Sequence, residues 1–253
     1  VTDIFVKQRP DAPAGFFEAE ASGLRWLAVP GGVSVVSVLD VSPGRLALER
    51  LTEVEPSARA AERFGRELAV THAAGAAGFG TPPDGWTGPG FIGTAPLPYA
   101  NHDGLRWGEF YASLRVAPYA RAARDSGLFG PAETALFDRI CAHLTDGRYD
   151  AGGTVPSRLH GDLWAGNVLW CADGVRLVDP AAHGGHPETD LAMLALFGLP
   201  HLARVLAGYD EAAPLADGWR DRVRLHQLHP LLVHVVLFGE RYVGRTLAAA
   251  RAV

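Results

Sequence analysis

The chain has 253 residues, 48% of them apolar, with 23 Lys and Arg set against 28 Asp and Glu for a net charge of −5. That is length enough for one large or two modest domains with a sizeable core. The charge excludes a phosphate-backbone partner, because the bases are interleaved with acids, as in "RDRVR" at 220–224. Cys141 and Cys171 are too few for a disulfide framework or a zinc ribbon and read as small buried residues in a reducing compartment. The opening "VTDIFVKQRP" has no apolar run of the signal-peptide kind, and "LLVHVVLF" is about half a bilayer span. The expectation is a soluble cytoplasmic protein with no nucleic-acid or membrane partner.

In chain order, "IFVK" (4–7) reads as a strand. "GFFEAEASGLRWLAV" then sets Phe16 or Phe17, Glu20, Leu24 and Leu27 at helical spacing. "VSVVSVLDV" (33–41) and "RLALERL" (45–51) are two further strands joined by Ser42-Pro43-Gly44. Pro56-Ser57 starts a helix with Phe64, Leu68 and His72 on one face. Residues 75–105, rich in Gly and Pro, form an ordered loop without periodicity. Helices follow over 107–124 and from Pro131, the latter with Phe137, Ile140, Cys141 and Leu144 on one stripe. Apolar helices are expected near 189–207 and 218–251, the second kinked at Pro230. His226, His229 and His234, at spacings of three and five, read as core or groove residues. The division expected is a small lobe at 1–51 and a helical lobe at 52–253, with a cleft between them.

The chemistry concentrates in "RLHGDLWAGNVLW" (158–170), which runs into "VLWCADGVRLVDP" (168–180). Asp173-Gly174 is a strong hairpin signal. With those two residues as the turn, Val168 faces Asp179, and Asn167 lies one step beyond. Asp162 sits five residues before Asn167. Two carboxylates and an amide converge, an oxygen-only set suited to Mg2+. The spacing from His160 through Asp162 to Asn167 fits the catalytic loop H-x-D-x-x-x-x-N, with Asp179 as the metal-binding Asp of the following hairpin. Asp162 then accepts a proton from an attacking hydroxyl, Asn167 and Asp179 hold magnesium, and His160 orients the loop. Turn capping explains Asp162 or Asn167 singly but not their convergence.

At these residues the chain resembles the fructosamine kinase (ketosamine-3-kinase) family, within the aminoglycoside-phosphotransferase-like and choline-kinase-like small-molecule kinases. "LHGDLWAGNVL", "VDPAAHGGHPETDLAML" and "LFGERY" carry the resemblance, and "FVK", "FFEAEASGL", "LALERL" and "FGRELAVTH" extend it along most of the chain. It implies an α+β, two-lobed protein-kinase-like fold, with a small strand-rich N-lobe lacking its first two strands and a larger helical C-lobe bearing the metal-binding hairpin. It also implies ATP and Mg2+, and phosphorylation of a sugar hydroxyl, the 3-hydroxyl in the family, on a small-molecule or protein-bound ketosamine. In the family that step repairs glycation. By position, Lys7 would contact the nucleotide phosphates and Glu20 would pair with it, with Glu18 as rival. Glu49 would fall at the hinge, where backbone meets adenine. Trp164 can stack on substrate or pack beneath its loop. His186 and Glu188 would line the substrate side, and Asp190 would brace the catalytic loop from a helix N-terminus.

Two departures stand out. The family's glycine-rich hairpin should precede "FVK", yet only six residues precede Lys7, so either the native chain begins upstream or the phosphate lid is absent. An aromatic pair usual in the family is replaced by His183-Gly184. The competing readings are a kinase for an aminoglycoside, a choline-like alcohol or another sugar, and a non-catalytic kinase-like binding protein. A third is a metal hydrolase built on His160, Asp162, Asp179, His183 and His186, which leaves Asn167 and Lys7 unexplained.

Overall fold

The computed structural model describes residues 3–150 and 154–253. At the N-terminal end, β1 (Ile4–Gln8) precedes α1 (Phe16–Leu27), and after β2 (Ser34–Val35) come β3 (Val38–Ser42) and β4 (Arg45–Glu49). An antiparallel sheet of order β1-β4-β3 presses its apolar face on α1, sealed by Phe17, Ala21, Leu24, Leu46 and Leu48. The long 33–41 strand expected from β-branched residues is instead two strands. Its first half leaves the small sheet and pairs in parallel with β9 (Gly174–Leu177), Ser34 opposite Arg176 and Val35 opposite Leu177. Part of the small lobe is thus stitched into the sheet of the large one.

The remainder is mostly helical, as the periodicity predicts. Ser57 caps α2 (Ala58–Ala73) by accepting the Ala60 N–H, and Phe64, Leu68 and His72 are buried on one face. The glycine-rich stretch is loop apart from a small hairpin, β5 (Phe91–Ile92) with β6 (Ala95–Pro96). The 107–124 helix is α3 (Trp107–Phe110), a π-helical stretch (Tyr111–Val116) and α4 (Ala117–Asp125). Pro131 opens α5 (Pro131–Thr145) as expected. Then come β7 (Ser157–Leu159), the hairpin β8 (Val168–Cys171) with β9, and β10 (His183–Gly185), which pairs with β7.

The two long C-terminal helices are broken more often than predicted. Gly198 separates α6 (Pro187–Phe197) from α7 (Leu202–Ala212). The 218–251 segment is α8 (Trp219–His226), α9 (Leu228–Phe238), a 3-10 turn and α10 (Val243–Ala250), with the breaks at Gln227 and at Gly239, whose φ is 72°. Pro230 lies in the first turn of α9, three residues past the break at Gln227, so the expected kink is a full interruption of the helix there. One core fills the helical end around Phe110, Tyr111, Phe137 and Leu231, and a second lies under the hairpin around Phe64, Leu163, Trp170 and Leu194. Among the described residues no helix is long and apolar enough to cross a membrane.

Candidate active site

The β8–β9 register differs from the predicted one. Cys171 faces Gly174, so the turn is Ala172-Asp173, and Val168 faces Leu177. Arg63 Nη1 donates to the Asp173 carbonyl at 2.9 Å, and Arg176 pairs with the Asp173 carboxylate. These contacts fix Asp173 inside the turn and leave Gly174, with a φ of 137°, just beyond it. The convergence survives because the slip is by two residues, which keeps each side chain on its face. The Val178 N–H donates to the Asn167 carbonyl at 3.2 Å, so Asp179 still stands one residue from Asn167's partner.

The loop carrying His160, Gly161 and Asp162 is held from beneath. Asp190, wholly buried near the start of α6, accepts the His160 N–H at 2.8 Å and the Gly161 N–H at 3.0 Å. It does brace the loop. His72 Nε2 lies 3.3 Å from the same carboxylate, and His72 Nδ1 lies 2.9 Å from the Tyr209 hydroxyl. His72, Gly161 and His160 all favour the charged form, so the Asp190 carboxyl is held low even though burial alone would raise it. His160 Nε2 meets the Val178 carbonyl at 2.9 Å, and its Nδ1 accepts the Asp162 N–H at 3.3 Å, which sets the backbone of Asp162. Gly161, at φ 82°, is obligatory, since a Cβ there would overlap the Ala181 carbonyl oxygen.

Asp162 is half-buried, and desolvation pushes its carboxyl up to about 7 against a hydrogen bond from Asn167. Asn167 Nδ2 donates to the Asp162 carbonyl at 2.8 Å and to its carboxylate at 3.3 Å. With its nitrogen so used, the Asn167 amide oxygen is left for a cation. Asp179 has a φ of 53°, a left-handed backbone rare outside glycine and of the kind that clusters at functional sites. Its carboxylate pairs with Lys7, and Lys7 Nζ also reaches Glu20 Oε1 at 2.7 Å. Burial works against charge on Lys7, but the two carboxylates outweigh it and raise its pKa. Glu20, rather than its rival Glu18, is the partner. One amide oxygen and one carboxylate fit Mg2+, which takes few protein ligands and completes its shell with water and phosphate.

Two cavities meet at Lys7 and Asp179. One, of about 360 Å³, is lined by Glu20, Phe91, Tyr99, Asp162, Trp164 and Asn167 among others. The Phe16 ring of α1 and the Phe91 ring of β5, 5.1 Å apart, close its outer side. The other, of about 310 Å³, is a more apolar slot between Phe5, Val36, Leu48, Leu51, Leu169 and Val178. Glu49 borders this slot, its side chain occupied by the Ser37 N–H at 2.9 Å and by Arg176 at 3.3 Å. Trp164 is 40% exposed at the rim of the first cavity, with its ring lying against Gly166 of its own loop.

His186 and Glu188 lie elsewhere, which corrects the expectation that they line the substrate side. The pairing of β10 with β7 carries the chain through the interior, so α6 begins on the opposite side of Asp190. There the two residues border a separate cavity with His72 and Tyr209. Both Glu188 oxygens are engaged by Arg222 at 2.5 and 2.9 Å, and His226 Nε2 lies 3.3 Å from Oε2. Burial alone would raise the Glu188 carboxyl, yet these partners hold it down to about 2.

Two residues on the substrate side have no sequence signal of their own. Tyr99, from the aperiodic loop, lines the larger cavity and donates to the Ala182 carbonyl at 3.4 Å. Behind it Arg115, fully buried in the π-helical stretch, donates to the Pro98 carbonyl at 2.7 Å and to His183 Nε2 at 3.4 Å, with its guanidinium over the Phe110 ring. Desolvation brings its pKa down to about 10. His183 thus faces the interior, with its ring nitrogens on Arg115 and the Ala181 carbonyl, far from a metal-ligand role.

Residues 1–251 match the family model described as fructosamine kinase. The chain belongs to the fructosamine kinase family. A relative from Thermus thermophilus, described as a probable ketoamine kinase, is 36% identical over 98% of this chain and 86% of its own. A crystal structure from Thermobifida fusca, proposed to be a fructosamine-3-kinase, superposes with a TM-score of 0.89 at 49% identity, covering 99% of this chain and 85% of that one. An aminoglycoside phosphotransferase in complex with gentamicin shares the fold alone, with a TM-score of 0.61 at 10% identity over 98% of this chain and 84% of that one. This fructosamine kinase family member therefore has the kinase-like fold and is a phosphotransferase acting on small molecules. Asp162, Asn167 and Asp179 line one cavity of this fold together.

Proposed function

We propose that the protein transfers the γ-phosphoryl group of ATP to a sugar hydroxyl of a ketosamine, a deglycating step. The observation that carries this reading is the junction of the two cavities at Lys7 and Asp179. Adenine fits the apolar slot, its edge near the strand end at Glu49, so that the triphosphate runs past Lys7 toward Asp162. Lys7, kept in line by Glu20, neutralises the α/β-phosphates. The ketosamine occupies the larger cavity, its ring against Trp164 and Tyr99 and its reacting hydroxyl on Asp162. Asp162 takes the hydroxyl proton as the oxygen–phosphorus bond forms and ADP departs with the electrons of the broken bond. A carboxyl near 7 suits that role, since a base works best when its pKa lies close to the working pH. Asn167 and Asp179 would hold Mg2+, which supplies charge neutralisation on the phosphates when bound.

The test is ADP release with a synthetic fructosamine as acceptor, with the product's phosphorylated position read by mass spectrometry and NMR. Turnover that requires the ketosamine and gives a sugar phosphate supports the reading. Turnover with an aminoglycoside or choline instead would reassign the acceptor, and ATP binding with no transfer to any of them would leave a non-catalytic binder.

A further inference from the structure

The motif "LFGERY" has no place in the catalytic machinery, yet its rings continue the rim of the larger cavity. From Trp164 a row of ring contacts runs outward: Phe197 at 6.2 Å, then His234 at 4.9 Å from Phe197, then Phe238 at 5.4 Å and Tyr242 at 4.8 Å from His234. Trp164 and Phe238, toward the two ends of the row, are 40% and 55% exposed, which is unusual for rings of this size. Gly239, at φ 72°, turns the chain after Phe238 and leaves that ring outside the core. At the other lip, Gly93 of the β5–β6 turn lies against Leu237, so the ledge and the hairpin flank one opening. Two guanidiniums edge the ledge, Arg245 over Phe197 at 5.2 Å and Arg241 over Tyr242 at 5.6 Å.

We propose that this ledge, reached through Trp164 and ending at Phe238, is the subsite for the amine-borne part of the acceptor and selects ketosamines of ring-bearing, uncharged amines. The inference rests on the ketosamine reading above. A sugar whose hydroxyl meets Asp162 has its anomeric end, and therefore the amine, directed out of the cavity along its rim. Exposed rings there reward a flat apolar group by stacking. Arg241 and Arg245, opposed locally by Glu240, set a positive potential that penalises an amine with a second, distal ammonium.

The experiment compares KM for the fructosamines of 6-phenylhexylamine, long enough to run along the ledge to Phe238, and hexylamine, in the wild type, F238S and F238W. The wild type should favour the phenylhexylamine adduct by about 3- to 10-fold, the range of one added ring contact. F238S should bring that ratio near one, and F238W should restore it. Phe238 is exposed, so folding is not at stake, and the ratio is internal to each variant. Turnover of both adducts with equal wild-type KM, or a ratio unmoved in F238S, overturns the subsite and leaves the ketosamine reading intact. Turnover of neither adduct removes that reading, and the subsite with it.

Discussion

Asp162 combines a half-buried carboxylate, a backbone set by His160 and a side chain set by Asn167, so its replacement tests chemistry more than folding. D162N keeps the shape and hydrogen bonds and removes the proton acceptor. Turnover should fall by about 10²- to 10⁴-fold while nucleotide affinity and the circular dichroism spectrum stay as in the wild type. Asp179 answers to a different measurement. D179A removes the carboxylate that pairs with Lys7 and would hold the proposed cation, so calorimetry should find that added Mg2+ no longer strengthens ATP binding. Both residues, with Asn167, were legible in the sequence because a fixed spacing and a hairpin leave few places for their side chains to go. Lys7 and Glu20 were legible only as a strand cation followed by a helix carboxylate, and the 2.7 Å pair selects Glu20 over Glu18. Arg115 was not legible. A single arginine in an amphipathic helix reads as a surface residue until the π-helical stretch turns it inward.

At the scale of elements, hydrophobic period located the helices, but their ends were set by tertiary packing. Neither the break at Gln227 nor the position of Pro230 in a first turn changes the apolar pattern, and so the period ran straight through them. His186 and Glu188 show the same limit. They follow Asp179 closely in sequence, but strand pairing between β10 and β7 takes them across the lobe. One contact between elements invites a direct test. The α2–α7 crossing is so close that a Cβ on Gly65 or Gly208 would overlap the backbone of the facing helix, at Val205 and Glu62 respectively. G208A adds helix propensity yet must push the helices apart, with a net loss of about 1–3 kcal/mol from overpacking. Urea unfolding should show it as a lower midpoint at unchanged slope; a midpoint equal to that of the wild type would mean the crossing yields without cost.

For the whole molecule, buried histidines dominate the response to acid. Burial, reinforced by Arg115, brings His183 to about 3, and burial with His226 beside it does the same for His186. His160, His226 and His229 are lowered too, burial again being the first cause. Each is neutral when folded and takes a proton on unfolding below pH ~6.5, so its contribution is present above that pH and is lost as pH falls toward its folded value. Asp162 and Glu20, raised by burial, act in the opposite sense, but they are outnumbered. Stability should therefore decline from pH 7 to pH 5, with a slope of up to about 1.4 kcal/mol per pH unit for each net proton taken up. Scanning calorimetry at pH 7.5, 6 and 5 should show a falling midpoint, and a flat profile would contradict the burial of these rings.

The two lobes are joined unequally around the cleft. On one side the strand pair Ser34–Val35 with Arg176–Leu177 is backbone bonding, reinforced by the Val36 N–H on the Leu177 carbonyl. On the other, Phe16 touches Phe91 at one end of α1, while at its other end Arg158 donates to the Trp26 carbonyl and lies over its ring at 4.4 Å, with Gly23 packed on Pro180 and Ala182. Opening of the cleft is therefore expected at the Phe16 end of α1, away from both the ribbon and the Trp26 anchor. In the proposed reaction the products would leave past those two phenylalanines, while Asp179, two residues beyond the ribbon strand, keeps its place.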